Sequence, residues 1–354
     1  MRGTDTQQES LFSYSKVSDF VPSDHPLVRV RALVDEALAS MQGTLTVSYA
    51  PTGRPSIAPE RLIRALVLQI LYSIRSERRL VEEIRYNMLY RWFVGLTLDD
   101  AVWDSSTFTK NRERFLDQGV TGDLLTAVVE AARRRRLISD EHFSVDGTLI
   151  EAWASQASYR RRDDDSDPPS GPPDFRGERR SADTHESCTD PDAQLYKKAP
   201  GQEARLCYIG HVLTDNRHAL VVDAEVTRAH GKAEVDAALT LLDRRPGKGR
   251  LTVAADKGYD TRRFVTTARQ QRVTPHVARN TSGRRSAIDG RTTRHRGYAQ
   301  SIHARHSVET PFAWGKYARP LRKTMLRGLD KVRAQAQLVF TAYNLVRMAN
   351  LGVP

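Results

Sequence analysis

Phe143-Ser144-Val145-Asp146-Gly147-Thr148-Leu149-Ile150 is the stretch on which the fold turns. Upstream, apolar residues recur at helical spacing: Leu62, Leu66, Ile70 and Ile74 share one face, and a second run continues through Leu80, Ile84 and Met88 to Phe93. At Phe143 the period becomes that of a strand. Working downstream, the segments Phe143 to Ala152, Leu206 to Thr214 and Ala219 to Thr227 read as three successive strands. A helix from Gly231 to Asp243, a strand from Leu251 to Ala255, a helix from Thr261 to Gln271 and a strand from Val273 to Ala278 follow.

Three strands, then helix, strand, helix, strand and a late acidic helix is the order of a ribonuclease H-like α/β core, a mixed five-stranded sheet with flanking helices. The carboxylates fit that order. Asp146 lies in the first strand, Asp256 closes the fourth in Val253-Ala254-Ala255-Asp256-Lys257-Gly258-Tyr259, and Glu309 sits in the helix-like Arg305-His306-Ser307-Val308-Glu309-Thr310-Pro311-Phe312. Carboxylates brought to one sheet edge from separate elements suit a hard cation, since magnesium binds through a few carboxylates, waters and substrate phosphates. Two such ions about 3.5–4 Å apart activate the attacking oxygen and stabilise the leaving oxygen of a phosphodiester. The expectation is metal-assisted cutting of nucleic acid with Asp146, Asp256 and Glu309 as catalytic residues and metal ligands. A rival reads Asp146-Gly147-Thr148 as the end of an aspartyl-phosphatase motif, but the nucleophile's position holds Ser144, which cannot form an acyl-phosphate.

Upstream of Phe143 the chain reads as all-helical. Residues 1–55 form a turn-rich N-terminal arm with one helix from Pro26 to Met41; after the two apolar runs, Ser105 or Ser106 caps a helix through Arg114 and Thr121 starts another through Arg136. Within the sheet region, 155–200 holds six prolines, the run Asp163-Asp164-Asp165 and almost no aliphatic residues, too little apolar surface to offset ordering entropy. It is expected to be a disordered insertion. Arg279 to Arg296 is polar and strongly basic.

Lysine and arginine number 55 against 43 acidic residues, a net charge of +12, which favours a polyanionic partner. Cys188 and Cys207 make no disulfide framework and no Cys-x-x-Cys pair. The start lacks the apolar core of a signal peptide, and the longest apolar stretch, Leu62 to Ile74, is interrupted by Arg64 and Gln69, so a soluble, cytoplasmic protein is expected. The run Arg133-Arg134-Arg135-Arg136 fits either DNA or the favourable end of a helix dipole. Trp153, just beyond the first strand, could touch a displaced base, although core packing is the plainer role for it and for Trp92 and Trp314. His211, His230 and His306 show no organised metal spacing.

Arg305, Glu309 and Lys316 fall at the spacings of the signature Tyr, two residues, Arg, three residues, Glu, six residues, Lys. With Asp256-Lys257-Gly258-Tyr259, the stretch from Gly210-His211 through Glu225-Val226-Thr227, Arg91 to Leu96 and Ser105 to Phe108, the chain from about Ser56 onward resembles the DDE-class transposases of bacterial insertion sequences, most closely the large group numbered five. The signature's tyrosine slot holds Ile302. The resemblance implies a helical DNA-binding domain over 56–139 and a catalytic domain over 140–354. It implies Mg2+, replaceable by Mn2+, at two ions per site, and DNA contacts from Arg305, Lys316 and Lys257. The implied activity is binding the element's terminal inverted repeats, cutting the ends and joining 3′-hydroxyls to target DNA as a homodimer or larger assembly at the nucleoid. A ribonuclease H-fold nuclease and a domesticated, catalytically idle DNA-binding descendant are the other readings.

The helix carrying Glu309 poses one local question. Pro311 would break a helix begun near Ile302, whereas a helix capped by Ser307 places Pro311 in its first turn, where the missing N–H costs little.

Overall fold

The computed structural model describes residues 15–47, 56–162, 184–197, 201, 203–245, 249–317 and 320–352. Seven helices come first: α1 (Pro26–Ser40), α2 (Gln42–Val47), α3 (Pro59–Leu71), α4 (Glu77–Tyr86), α5 (Met88–Val94), α6 (Ser105–Asp117) and α7 (Val120–Arg134). Pro26 and Pro59 each open a helix, where a proline's absent N–H is no loss. The second apolar run is two helices rather than one, because Asn87 leaves the helical conformation and caps α5 by accepting the Tyr90 N–H at 3.3 Å. Asp104, not Ser105 or Ser106, caps α6, accepting the Ser106 N–H at 2.7 Å, and that helix runs past Arg114 to Asp117.

The strands are β1 (His142–Glu151), β2 (Tyr159–Arg161), β3 (His185–Ser187), β4 (Gln194–Tyr196), β5 (Arg205–Asp215), β6 (Val221–Arg228), β7 (Leu251–Ala255) and β8 (Val273–Val277). β6, β5, β1, β7 and β8 lie side by side in that order, antiparallel as far as β1 and parallel beyond it. This is the expected ribonuclease H-like sheet, with β4 added as a sixth strand on the start of β5. The remaining helices are α8 (Ala233–Arg244), α9 (Arg262–Gln270), α10 (Gly290–Arg294), α11 (Arg296–Ala304), α12 (Glu309–Tyr317) and α13 (Leu329–Asn350).

The expectation of disorder over 155–200 fails at both flanks. β2 and β3 pair with each other, and the return segment docks: the buried Asp190 carboxylate accepts the Tyr208 hydroxyl at 2.7 Å and the Gly328 N–H at 3.1 Å, while Asp192 accepts the Leu329 N–H at 2.9 Å. Two acids thereby satisfy backbone donors at the start of α13, compensating for the scarce apolar surface. Residues 163–183 and 198–200 of that expectation lie outside the described residues.

No expected element corresponds to α13, the longest helix described. Val332, Ala336, Val339, Phe340 and Tyr343 are buried along it, and it packs on α7, α3, α6, α1 and β6. The Asn344 amide is fixed on the edge of β6, accepting the Val221 N–H at 2.9 Å and donating to the Val221 carbonyl at 2.7 Å. One apolar core therefore runs without a break from Leu27 of α1 to Ala349 of α13. The N-terminal helices, including α1 in the arm, share that core with the sheet.

Candidate active site

β1 and β7 run parallel in the register His142 to Thr252, Phe143 to Val253 and Ser144 to Ala254. Carried two residues on, the same register sets Asp146 level with Asp256 on neighbouring strands. Asp256 turns the chain where β7 ends, its carboxylate accepting the Gly258 N–H at 2.7 Å to cap the 3₁₀ turn Lys257–Tyr259. Thr261, not Asp256, caps α9, accepting the Phe264 N–H at 3.2 Å. Lys257 is exposed at this turn.

Behind the pair lies Tyr259, 1% exposed. Burial raises its hydroxyl pKa well above the usual 10, and the charges of Glu234, Asp146 and Asp256 push it further in the same direction. All three carboxylates are near enough for their charge to be felt at the buried phenol. Glu234, in the first turn of α8, was not among the candidates read from sequence; its signal is its place at a helix start on the strands' carboxyl side. Gly147 makes room for it: a Cβ there would stand 3.1 Å from Glu234 Oε1 and 3.1 Å from His211 Nδ1. His211 faces Gly147 across the β1–β5 ladder, with Nε2 paired to the Thr227 hydroxyl at 2.9 Å. Burial lowers its pKa to about 3, so the imidazole is neutral at physiological pH.

Glu309 arrives from the other side. A 3₁₀ turn, Arg305–Val308, joins α11 to α12, and all of Ala304, Arg305 and Glu309 keep right-handed helical torsions. Helical torsions run through the junction, but the 3₁₀ turn separates α11 from α12, so α12 starts at Glu309 and Pro311 falls in its first turn, where it costs no hydrogen bond. Asn216 ties this turn to β1, since its Oδ1 accepts the Ser144 hydroxyl at 2.7 Å and the Ser307 hydroxyl at 3.3 Å. Ser144 shares a strand face with Asp146. The Glu309 side chain itself is 65% exposed, with one carboxylate oxygen 3.7 Å from His306 Nδ1. Among the described residues no three ligating side chains converge closely enough to hold a metal ion. The aspartates are brought together; Glu309 is delivered to their neighbourhood without closing on them.

Glu309 and Lys316 are seven residues apart on α12 and share its face. Arg305 precedes them across the tighter turn, where residues four apart lose that alignment, and its Nε is buried without a hydrogen-bond partner. The run Arg133 to Arg135 is committed internally: Arg133 pairs with Glu130 at 2.7 Å and Asp140 at 3.1 Å, and Arg134 and Arg135 both hold Glu36 at 2.7 Å. Trp153 is 44% exposed with the Lys323 ammonium 5.4 Å from its ring centroid. No described helix is long and apolar enough to cross a membrane.

Fold and paired strand carboxylates together define the class: ribonuclease H-like proteins with an acidic site at the edge of the sheet. Residues 139–345 match the family described as Transposase DDE domain, and residues 15–114 match Transposase domain (DUF772). The chain belongs to the Transposase DDE domain family and is a DDE transposase, an enzyme of the insertion-sequence kind that acts on DNA. The family uses divalent metal ions. Among solved structures the chain is similar to a piggyBac transposase synaptic complex with hairpin DNA, at 8% identity and a TM-score of 0.40, covering 93% of this chain and 76% of that one. No curated protein matches it.

Proposed function

We propose that this transposase binds the terminal inverted repeats of its own insertion sequence, cuts the DNA ends by hydrolysis and directs the freed 3′-hydroxyls at target DNA. Asp146, Asp256 and Glu309 are the residues assigned to hold the metal, with Mg2+ as the ion, Mn2+ as a substitute and two ions per site. The observation that carries the assignment is that Asp146 and Asp256 each lie two residues beyond the last pair of the parallel strands β1 and β7, beside the turn that leads into Glu309. Two hard carboxylate donors at one edge are the chemistry a divalent cation selects. Divalent ions bound there supply Lewis-acid polarisation of the phosphodiester and of the attacking oxygen.

What remains is positioning by the chain's own groups. Lys316, on the Glu309 face of α12, and Lys257, beside Asp256, are placed to contact phosphates flanking the cut, with Arg305 in a lesser role. Closure of Glu309 onto the aspartates is assigned to the DNA-bound state. Membership of the group numbered five is supported by the Arg305, Glu309 and Lys316 spacing, with Ile302 in the tyrosine slot. Action as a homodimer or larger assembly at the nucleoid completes the reading.

The test is a comparison of Asp146→Asn, Asp256→Asn and Glu309→Gln with wild type on a duplex carrying one element end. Each variant should bind the end with wild-type affinity and fail to nick it. Nicking at the wild-type rate by any one variant removes that residue from the site.

A further inference from the structure

We propose that Glu234 is a fourth carboxylate of the metal site and that His211 is the positioning residue that holds it against β1. The inference rests on the assignment of Asp146 and Asp256 to that site and extends it. An acid in the first turn of a helix is favoured by the helix dipole anyway and normally points to water. Glu234 does not: it is half-buried, and its Cγ and Oε1 occupy the space above Gly147 that any larger residue's Cβ would invade, at 3.1 Å each. Gly147 directly follows Asp146, so Glu234 lies against the backbone that carries the first aspartate.

A second observation points into the same niche. His211 is 1% exposed, and with Nε2 committed to Thr227, its Nδ1 is left buried with no hydrogen-bond partner. That nitrogen stands 3.1 Å from the same Cβ position that Glu234 crowds. The assignment requires the tautomer in which the Thr227 hydroxyl donates to Nε2 and Nδ1 carries the proton, available to the Glu234 carboxylate when an ion draws it in. That is the outer-sphere arrangement that orients a ligating carboxylate. In this proposal Glu234 joins Asp146 and Asp256 when the ion binds, since the three do not converge closely enough to hold it beforehand.

Mn2+ uptake by the full-length, DNA-free protein, read from loss of the free-ion electron paramagnetic resonance signal, tests this without relying on activity. Asp256→Asn should abolish uptake. Glu234→Gln should weaken it by at least about tenfold, and His211→Phe, which cannot hold the carboxylate, by a smaller factor. Glu234→Gln protein that melts like wild type and binds Mn2+ within twofold of it, while Asp256→Asn does not bind, overturns the role of Glu234 alone. Wild-type protein that takes up no Mn2+, or Asp256→Asn protein that binds normally, overturns the underlying site as well.

Discussion

Phe312→Leu should uncouple folding from catalysis. Phe312 lies one turn beyond Glu309 on α12, is 6% exposed, and sets its ring 6.1 Å from that of Phe340 on α13 at an interplanar angle of 71°. This edge-to-face contact is one of the ties that fix α12, and with it Glu309, to the shared core. Leucine keeps most of the apolar volume. The loss is the aromatic pair term, about 0.5–1.5 kcal/mol, plus a repacking cost below about 1.5 kcal/mol, so about 1–3 kcal/mol in all. Against a total stability of about 5–15 kcal/mol, that leaves about 97% of molecules folded even at the low end. Loss of folded protein therefore cannot explain a rate defect larger than a few per cent.

Misplacement of Glu309 can, since about 1 Å at a reacting centre costs about a hundredfold. Nicking of an end duplex at saturating protein should fall at least about tenfold, with end binding unchanged. The control is Phe108→Leu. Phe108 is 1% exposed and stacks on Trp103 at 6.2 Å and 7°, so it carries a comparable stability cost on α6, away from the acidic edge. Urea midpoints of the two variants should match while only Phe312→Leu loses nicking. Equal rate losses, or full activity in Phe312→Leu, would refute the claim that α12 sets Glu309 through the Phe312–Phe340 contact.

Three further outcomes are expected. Hydrogen bonds from Arg135, then Arg134, lower the Glu36 pKa from 4.5 to about 2, so this clamp between α1 and α7 contributes stability above pH 4.5 and loses it as pH falls through about 2. Its partial exposure limits the effect to under about 1 kcal/mol, and the gap in urea midpoint between wild type and Glu36→Gln should narrow between pH 7 and pH 3. Lys316→Gln should slow nicking more than Arg305→Gln, since only Lys316 shares the Glu309 face; the reverse ranking in single-turnover assays would show that the 3₁₀ turn does not hold in the DNA complex. A fragment ending at Ser139 should lack a cooperative thermal transition and recover one when α13 is supplied in trans, because α7 packs along that helix; a cooperative melt by the fragment alone would show it to be an independent domain.

The contrast between what could and could not be read from the chain has a physical basis. β1, β5, β6, β7 and β8 were legible within two residues at each end because half- and fully buried strands leave short apolar blocks bounded by turn residues. The placement of Asp146 within β1 and of Asp256 directly after β7 was legible for the same reason, as charges that punctuate such blocks. The caps at Asn87 and Asp104 were not, because several residues near each start offered a side-chain oxygen and only the fold selects among them. Glu234 was hidden differently: its position over Gly147 depends on β1 and α8 meeting in space, and a lone glutamate at a helix start is the commonest of surface features. The helix α13 shows the strongest limit. Thirteen of its residues are buried, spread around most of its circumference, so the one-sided stripe that marks a surface helix is blurred. A helix surrounded on most sides is one that other elements need. That is why the N-terminal helices, which read as a separate domain from their own periodicity, share one core with the sheet through α13.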